Sequence, residues 1–325
     1  FGVPEVKKLK TVFVQKIKEA QKAAIYAIYK DKIDELITGT VDNIDPGKRF
    51  VSVNIGRTFV TLPRKEMIGD EIETIRPGQQ LKVYLSGIGN SEQGIVVSRA
   101  CPGFLKRLFE EEIRDVYDGT VIIKDIARVA GERSKVSVMS NDFNVDPVGA
   151  CIGPGGSKIQ KICAQLNHEK IDIIQYYDLK GLFIAECLQP AHVVGVKDNG
   201  DGSYIAVVKD GELKVAIGKK GVNARLAVKL AGGKIDIKEY SEAVEENIDF
   251  VPVEELKKQN DELVKEKKRL AMIEKSKEDE EKRKQTLASL TASADDIEDD
   301  EEYEDDDESL ENETSSEEET LDTPV

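Results

Sequence analysis

Ile152-Gly153-Pro154-Gly155-Gly156, followed by Ser157 to Leu166 and then Lys170-Ile171-Asp172-Ile173, returns as Ile217-Gly218-Lys219-Lys220-Gly221, Val222 to Leu230 and Lys234-Ile235-Asp236-Ile237. The glycine loops lie 65 residues apart and the K-I-D-I stretches 64. Two landmarks at nearly one offset mark an internal duplication of an α/β unit. In each copy a short helix is expected to end at Ile-Gly, cross two residues and restart at the next Gly. Glycine permits backbone angles that a Cβ forbids and lets a ligand approach the main chain.

The first turn of the restarted helix presents N–H groups backed by the helix dipole, which favours anions. A sugar–phosphate backbone fits such a surface, with bases on the aliphatic groove beside it. The candidate contacts are Gly153, Pro154, Gly155, Gly156, Ser157 and Lys158 in the first copy, and Gly218, Lys219, Lys220, Gly221, Asn223 and Arg225 in the second. The second loop holds two lysines where the first has Pro154-Gly155, so it is expected to carry more of the electrostatic attraction. A dinucleotide-binding fingerprint should follow a strand, whereas Val148 to Cys151 and Leu213 to Ala216 read as short helices. A phosphate-binding P-loop needs G-x-x-x-x-G-K-[ST], which neither loop supplies.

Upstream, residues 9–36 read as one amphipathic helix, with Leu9, Val12, Phe13, Ile17, Ala20, Ala24 and Ile28 at three- and four-residue steps. Short strands follow at Ile37–Ile44, Phe50–Ile55, Thr58–Leu62, Leu81–Ile88 and Gly94–Ser98, punctuated by Asp45-Pro46-Gly47 and Arg76-Pro77-Gly78. Five short strands suit a small OB-type barrel. On it, Phe50 and Phe59 offer base-stacking faces in competition with core packing, and Arg57, Arg64 and Arg99 offer phosphate contacts. A helix from Phe104 to Val116 and strands at Val121–Val129 and Lys135–Met139 lead into the first glycine loop, and Arg128, Arg133 and Lys135 read equally well as solvated charges. Residues 254–287 are charge-dense and helix-favouring; Leu256, Leu263 and Leu270 recur every seven, but Asn260 and Lys267 spoil a coiled-coil seam.

The chain of 325 residues has a formal charge of −16, of which residues 251–325 carry −17 and residues 1–250 carry +1. The acidity thus belongs to the end of the chain, where 18 Asp or Glu fall between 295 and 322, a stretch expected to be disordered. A nearly neutral body still allows basic faces, so the overall charge does not exclude a nucleic-acid partner. Aromatics are only 6% and Trp is missing, which favours several small aliphatic cores over one deep cleft. Cys101, Cys151, Cys163 and Cys187 form no C-x-x-C, and with two histidines no zinc site is expected. No cofactor, membrane span or signal peptide is expected, and reduced thiols suit the cytoplasm. The start at Phe1, without Met and in a helical pattern, reads as a fragment.

Several stretches resemble the NusA family of bacterial transcription termination/antitermination factors. They are Leu108-Phe109-Glu110 with Glu112, Asp118-Gly119, Ile126-Ala127-Arg128, Gly131 to Val136, Asp146 to Cys151 ahead of the first loop, and Ala216 to Gly221 with Asn223 and Arg225 at the second. The resemblance, over about residues 9–240, implies a multidomain α+β chain. Residues 1–34 would be the last helix of a polymerase-binding domain, 35–100 an S1 (OB-type) barrel, and 101–185 and 186–249 two tandem type II KH domains. A charged helix (250–290) and a disordered acidic tail (291–325) would follow. It also implies a cytoplasmic, monomeric, non-enzymatic elongation factor. Single-stranded nascent RNA would lie on the S1–KH–KH surface, with RNA polymerase and other termination or antitermination factors as partners. Competing readings are an RNA-degradation component, which would need an ordered carboxylate cluster for metals, and a protein scaffold that uses the KH folds without RNA.

Overall fold

The structure is a computed structural model that describes residues 3–89 and 94–295. Phe1 and the acidic stretch from 296 onward lie outside the described residues, as does the side chain of Leu9. Helix α1 (Val3–Tyr29) stops seven residues before the expected end at 36. The reason is Tyr29, which turns into the barrel core and donates its hydroxyl to the Ile55 carbonyl at 3.0 Å. A single 3-10 turn (Lys30–Lys32) and Asp34, in the left-handed region at φ +66°, then steer the chain into the first strand.

The barrel is β1 (Leu36–Ile44), β2 (Phe50–Asn54), β3 (Phe59–Pro63), β4 (Gln80–Ile88) and β5 (Ile95–Ser98). Its order is β3-β2-β1-β4-β5, every pairing is antiparallel, and the edge strands β3 and β5 approach each other to nearly close it. Alternation explains the core: Val51, Val53, Val60, Leu62, Val83, Leu85 and Val97 point inward, while Ser52 and Thr61 pair on the outer face.

The first α/β module is α2 (Pro102–Glu112), α3 (Arg114–Tyr117), β6 (Val121–Val129), β7 (Arg133–Ser140), α4 (Pro147–Ile152), α5 (Ser157–Gln165) and β8 (Lys170–Gln175). The single helix expected over 104–116 breaks at Ile113, whose backbone is extended (φ −123°, ψ 106°) and whose side chain is buried. The second module is α6 (Lys180–Cys187), β9 (Val193–Asp198), β10 (Ser203–Val208), α7 (Leu213–Ile217), α8 (Val222–Ala231), β11 (Lys234–Glu239) and α9 (Tyr240–Glu245). The duplication is visible in the sheets. Each K-I-D-I strand runs parallel to its neighbour, with Lys170 opposite Arg133 and Lys234 opposite Ser203. A short β12 (Val251–Pro252) adds to β9, and α10 (Val253–Asp295) begins with Leu256 buried in the second module's core. Leu263 and Leu270 on α10 are exposed, in keeping with a solvated helix rather than a coiled-coil seam.

The three modules share their cores. Ile68, Leu36 and Tyr84 of the barrel pack with Phe104, Leu105 and Leu108 of α2. Ala127 and Ile174 of the first sheet pack with Leu226, Ala227 and Leu230 of α8. Helix α6 packs with β9 and α8 of the second module and with β8 of the first. Its Leu182, Phe183 and Ile184 bury their side chains in the core that the two modules share.

Candidate nucleic-acid interface

Both glycine loops have one backbone. The four residues from Gly153 and from Gly218 begin at φ +74°, and their third and fourth members take φ +58° and +76° in the first loop and +54° and +71° in the second. Each fourth N–H closes a turn on the first carbonyl, Gly156 to Gly153 at 3.0 Å and Gly221 to Gly218 at 3.1 Å. Gly218 is required twice over: its φ is positive, and an added Cβ would stand 2.8 Å from the Asn223 Cβ. The approach to the first loop is set by Asp146, whose carboxylate caps α4 by accepting from the N–H groups of Val148 and Gly149, with Pro147 at the first helical position.

The loops differ in charge. Lys219 and Lys220 are exposed at the tip of the second loop, and the exposed Arg225 donates to the Lys220 carbonyl at 3.0 Å, which steadies that tip. In the first loop Pro154, Gly155 and Ser157 are exposed, but Lys158 folds inward. Its Nζ donates to Asp115 at 3.1 Å and to the Ala150 carbonyl at 2.9 Å. Lys158 thus ties α3, α4 and α5 together. Asn223 is also corrected: it is 1% exposed, and its amide donates to the carbonyls of Leu188 (3.2 Å) and Ala216 (2.9 Å). It shapes the loop from beneath.

On the barrel, Phe59 is 59% exposed and lies on the outward row of β3, opposite Asn54. Phe50, half-buried, occupies the same outward row of β2 opposite Pro63. Arg57 is exposed in the β2–β3 turn, and Arg64 is exposed and paired with Asp70 at 2.9 Å. Phe59 and Arg57 therefore offer a stacking face and a cation on one rim.

Arg99 does not belong to this surface. It is 6% exposed, its guanidinium grips Glu71 at 2.9 Å and the Gln165 carbonyl at 3.3 Å, and it lies over the Phe104 ring at 4.9 Å. Arg128, Arg133 and Lys135 are not solvated charges either. Arg128 pairs with Glu169 in the interior, Arg133 holds Asp172 through two bonds, and Lys135 reaches both Asp172 (3.1 Å) and the Gln189 carbonyl (2.7 Å). Burial pushes the Lys135 ammonium below its ordinary pKa, with Asp172 opposing that shift. Burial likewise pushes the thiols of Cys151 and Cys187 up to about 12, so neither is a reactive thiolate. Among the described residues no group of three or more His, Cys, Asp or Glu is placed to hold a metal ion, and no helix is long and apolar enough to cross a membrane.

Comparison with known proteins agrees with this geometry. The profile of the NusA-like first KH domain matches residues 99–176, and that of the NusA-like second KH domain matches residues 180–245. The Transcription termination/antitermination protein NusA of Halalkalibacterium halodurans is 43% identical over 248 residues, covering 75% of this chain and 64% of that protein. The protein of the same name from Bacillus subtilis is 42% identical, covering 75% of this chain and 66% of its own length. That of Mycobacterium bovis is 35% identical, covering 73% and 71%. The chain thus spans about two thirds of the length of these relatives. With the near-closed five-stranded barrel ahead of two KH domains and identity sustained across both, the chain belongs to the NusA family.

Proposed function

We propose that this chain is a non-enzymatic factor that holds single-stranded nascent RNA along its barrel and its two glycine loops, and thereby modulates pausing, termination and antitermination by RNA polymerase. The observation that carries this reading is the pair of loops with one backbone, each opening a helix of nine or ten residues whose N-terminal dipole favours an anion. Lys219, Lys220 and Arg225 supply cations at the second loop, Phe59 supplies a stacking face, and Arg57 and Arg64 flank it. The first loop contributes shape through Gly153, Pro154, Gly155, Gly156 and Ser157, with the Gly155 N–H as a main-chain donor. RNA polymerase and further termination or antitermination factors are the protein partners of this reading, the cytoplasm its place and the monomer its state. The barrel (35–100) and the two KH modules act as its RNA-holding units.

The test is fluorescence anisotropy with a labelled single-stranded RNA. Lys219→Asp with Lys220→Asp should weaken binding at least tenfold, and the wild-type affinity should fall with salt at a slope of roughly −0.7 per phosphate neutralised. Unchanged affinity in the double variant, with circular dichroism showing it folded, would overturn the assignment of the second loop. A pausing assay on transcribing polymerase then tests the activity itself.

A further inference from the structure

A cleft of about 310 Å³ lies on the seam between the two KH modules, with Glu132, Arg133 and Lys170 on one wall and Lys219, Lys220 and Asn223 on the other. Its volume is at the low end of small-molecule sites, which run from roughly 300 to 1,000 Å³, and suits a single nucleotide rather than a length of strand. A loop that only grips phosphates needs cations and main-chain N–H groups. This cleft has the cations in Lys170, Lys219 and Lys220, and it has two features more.

One feature is a flat, immobile cation. The Arg133 guanidinium is locked by Asp172 through bonds of 2.6 and 2.9 Å, which leaves its plane fixed for a base to stack on. The other is a hydrogen-bond acceptor, the Glu132 carboxylate. Glu132 stands exposed at the mouth on a fixed backbone, its N–H bonded to the Val129 carbonyl and its own carbonyl to the Lys170 N–H.

We propose that this cleft takes one nucleotide turned out of the loop-bound strand and reads its base by hydrogen-bond donors, favouring guanosine over uridine. The proposal rests on the reading of the second loop as an RNA-holding element. The preference follows from the carboxylate. A carboxylate matches the adjacent N1–H and N2–H₂ donors of guanine with two parallel bonds. Adenine and cytosine offer one amino group beside a ring nitrogen that repels the carboxylate, and uracil offers one N–H flanked by carbonyls. The cations around the mouth would hold the phosphates on either side of the turned-out nucleotide.

The probes are four labelled RNA decamers: all-uridine, and uridine with a single central guanosine, adenosine or cytidine. The full chain should bind the guanosine decamer about tenfold or more above all-uridine, the discrimination expected of one bidentate pair. Glu132→Ala should collapse that ratio toward one; Glu132→Gln, isosteric and uncharged, should lower it part of the way. Equal affinity for all four decamers, with Lys219→Asp/Lys220→Asp weakening all of them, would overturn the pocket and leave the general reading intact. A guanosine preference untouched by Glu132→Ala would also overturn it. Undiminished binding of every decamer by the folded double-lysine variant would instead overturn the reading on which the pocket depends.

Discussion

Arg128 and Glu169 form an ion pair at 2.9 Å in which neither side chain reaches solvent. The guanidinium continues to the carbonyls of Arg99 (2.8 Å) and Cys101 (2.9 Å), at the joint between the barrel and the first KH module. Glu169 completes its coordination with the Gly131 N–H at 2.9 Å and the Ser134 hydroxyl. Arg99, whose carbonyl takes one of these bonds, carries the same design into the barrel by gripping Glu71. The barrel and the module are thus joined by polar groups with fixed directions as well as by apolar packing, which fixes the angle between them.

Arg128→Ala should therefore be severe. It leaves a buried carboxylate with only two neutral donors, and breaking a buried pair from one side costs about 3–5 kcal/mol. The midpoint of urea unfolding should fall accordingly, and a loss below about 1 kcal/mol would show that the joint does not depend on this pair.

Phe59 and Arg99 should separate binding from stability. Phe59→Ala removes an exposed ring, so its stability should stay within about 0.5 kcal/mol of wild type. Its affinity for single-stranded RNA should drop by about 1–3 kcal/mol if the ring carries a stacked base. Arg99→Ala should do the opposite at first sight, lowering the unfolding midpoint strongly because Glu71 is left buried and unpaired. The pair of variants, measured by anisotropy and by urea, checks the placement of one on the surface and the other in the interior.

That contrast also shows what the sequence could reveal. The glycine loops, the K-I-D-I strands and the five barrel strands were legible because each depends on local chemistry or on period-two alternation over a few residues. The interior roles of Arg99 and Arg128 are not legible in the sequence, because their partners, Glu71 and Glu169, lie 28 and 41 residues away. A signal existed for Arg128. It sits two residues after Ile126 on β6, hence on the face that buries Ile126 in the core. Lys158 is the reverse case: its nearness to the loop points to a phosphate, and the sequence does not show that Asp115 on α3 stands within its reach. Helix α1 was extended too far because Tyr29 fits a helical stripe and a barrel core equally well.

Three turn carboxylates set the expected acid response. Asp45 is held below its usual pKa chiefly by hydrogen bonds from the Arg49 side chain, Asp118 by the backbone N–H of Thr120, and Asp201 by the Ser203 hydroxyl and N–H. A carboxyl whose folded pKa is depressed adds stability above its unfolded pKa of about 3.9, and that stability is lost as pH falls through the folded value. The urea midpoint should be flat from pH 6 to 5 with respect to these groups and fall below about pH 4. Replacing all three by Asn should make that fall shallower; an unchanged acid slope would show that the turns do not contribute to it.

Lys220 offers the sharpest separation of stability from binding, because it is a lysine in a glycine's conformation. Its backbone sits at φ +54°, ψ 22°, where the first loop has Gly155 at φ +58°, ψ 21°. A side chain in that region costs about 1 kcal/mol or more, a cost that Gly155 does not incur. Lys220→Gly should therefore raise stability by about 1 kcal/mol while it weakens RNA binding and makes the salt dependence shallower by about 0.7. Gly155→Lys should show the mirror image, with lower stability and a steeper salt slope. Paired urea and salt titrations of both variants check the two signs at once. If Lys220→Gly left both affinity and slope unchanged, the lysine's strained position would have no binding role to account for it.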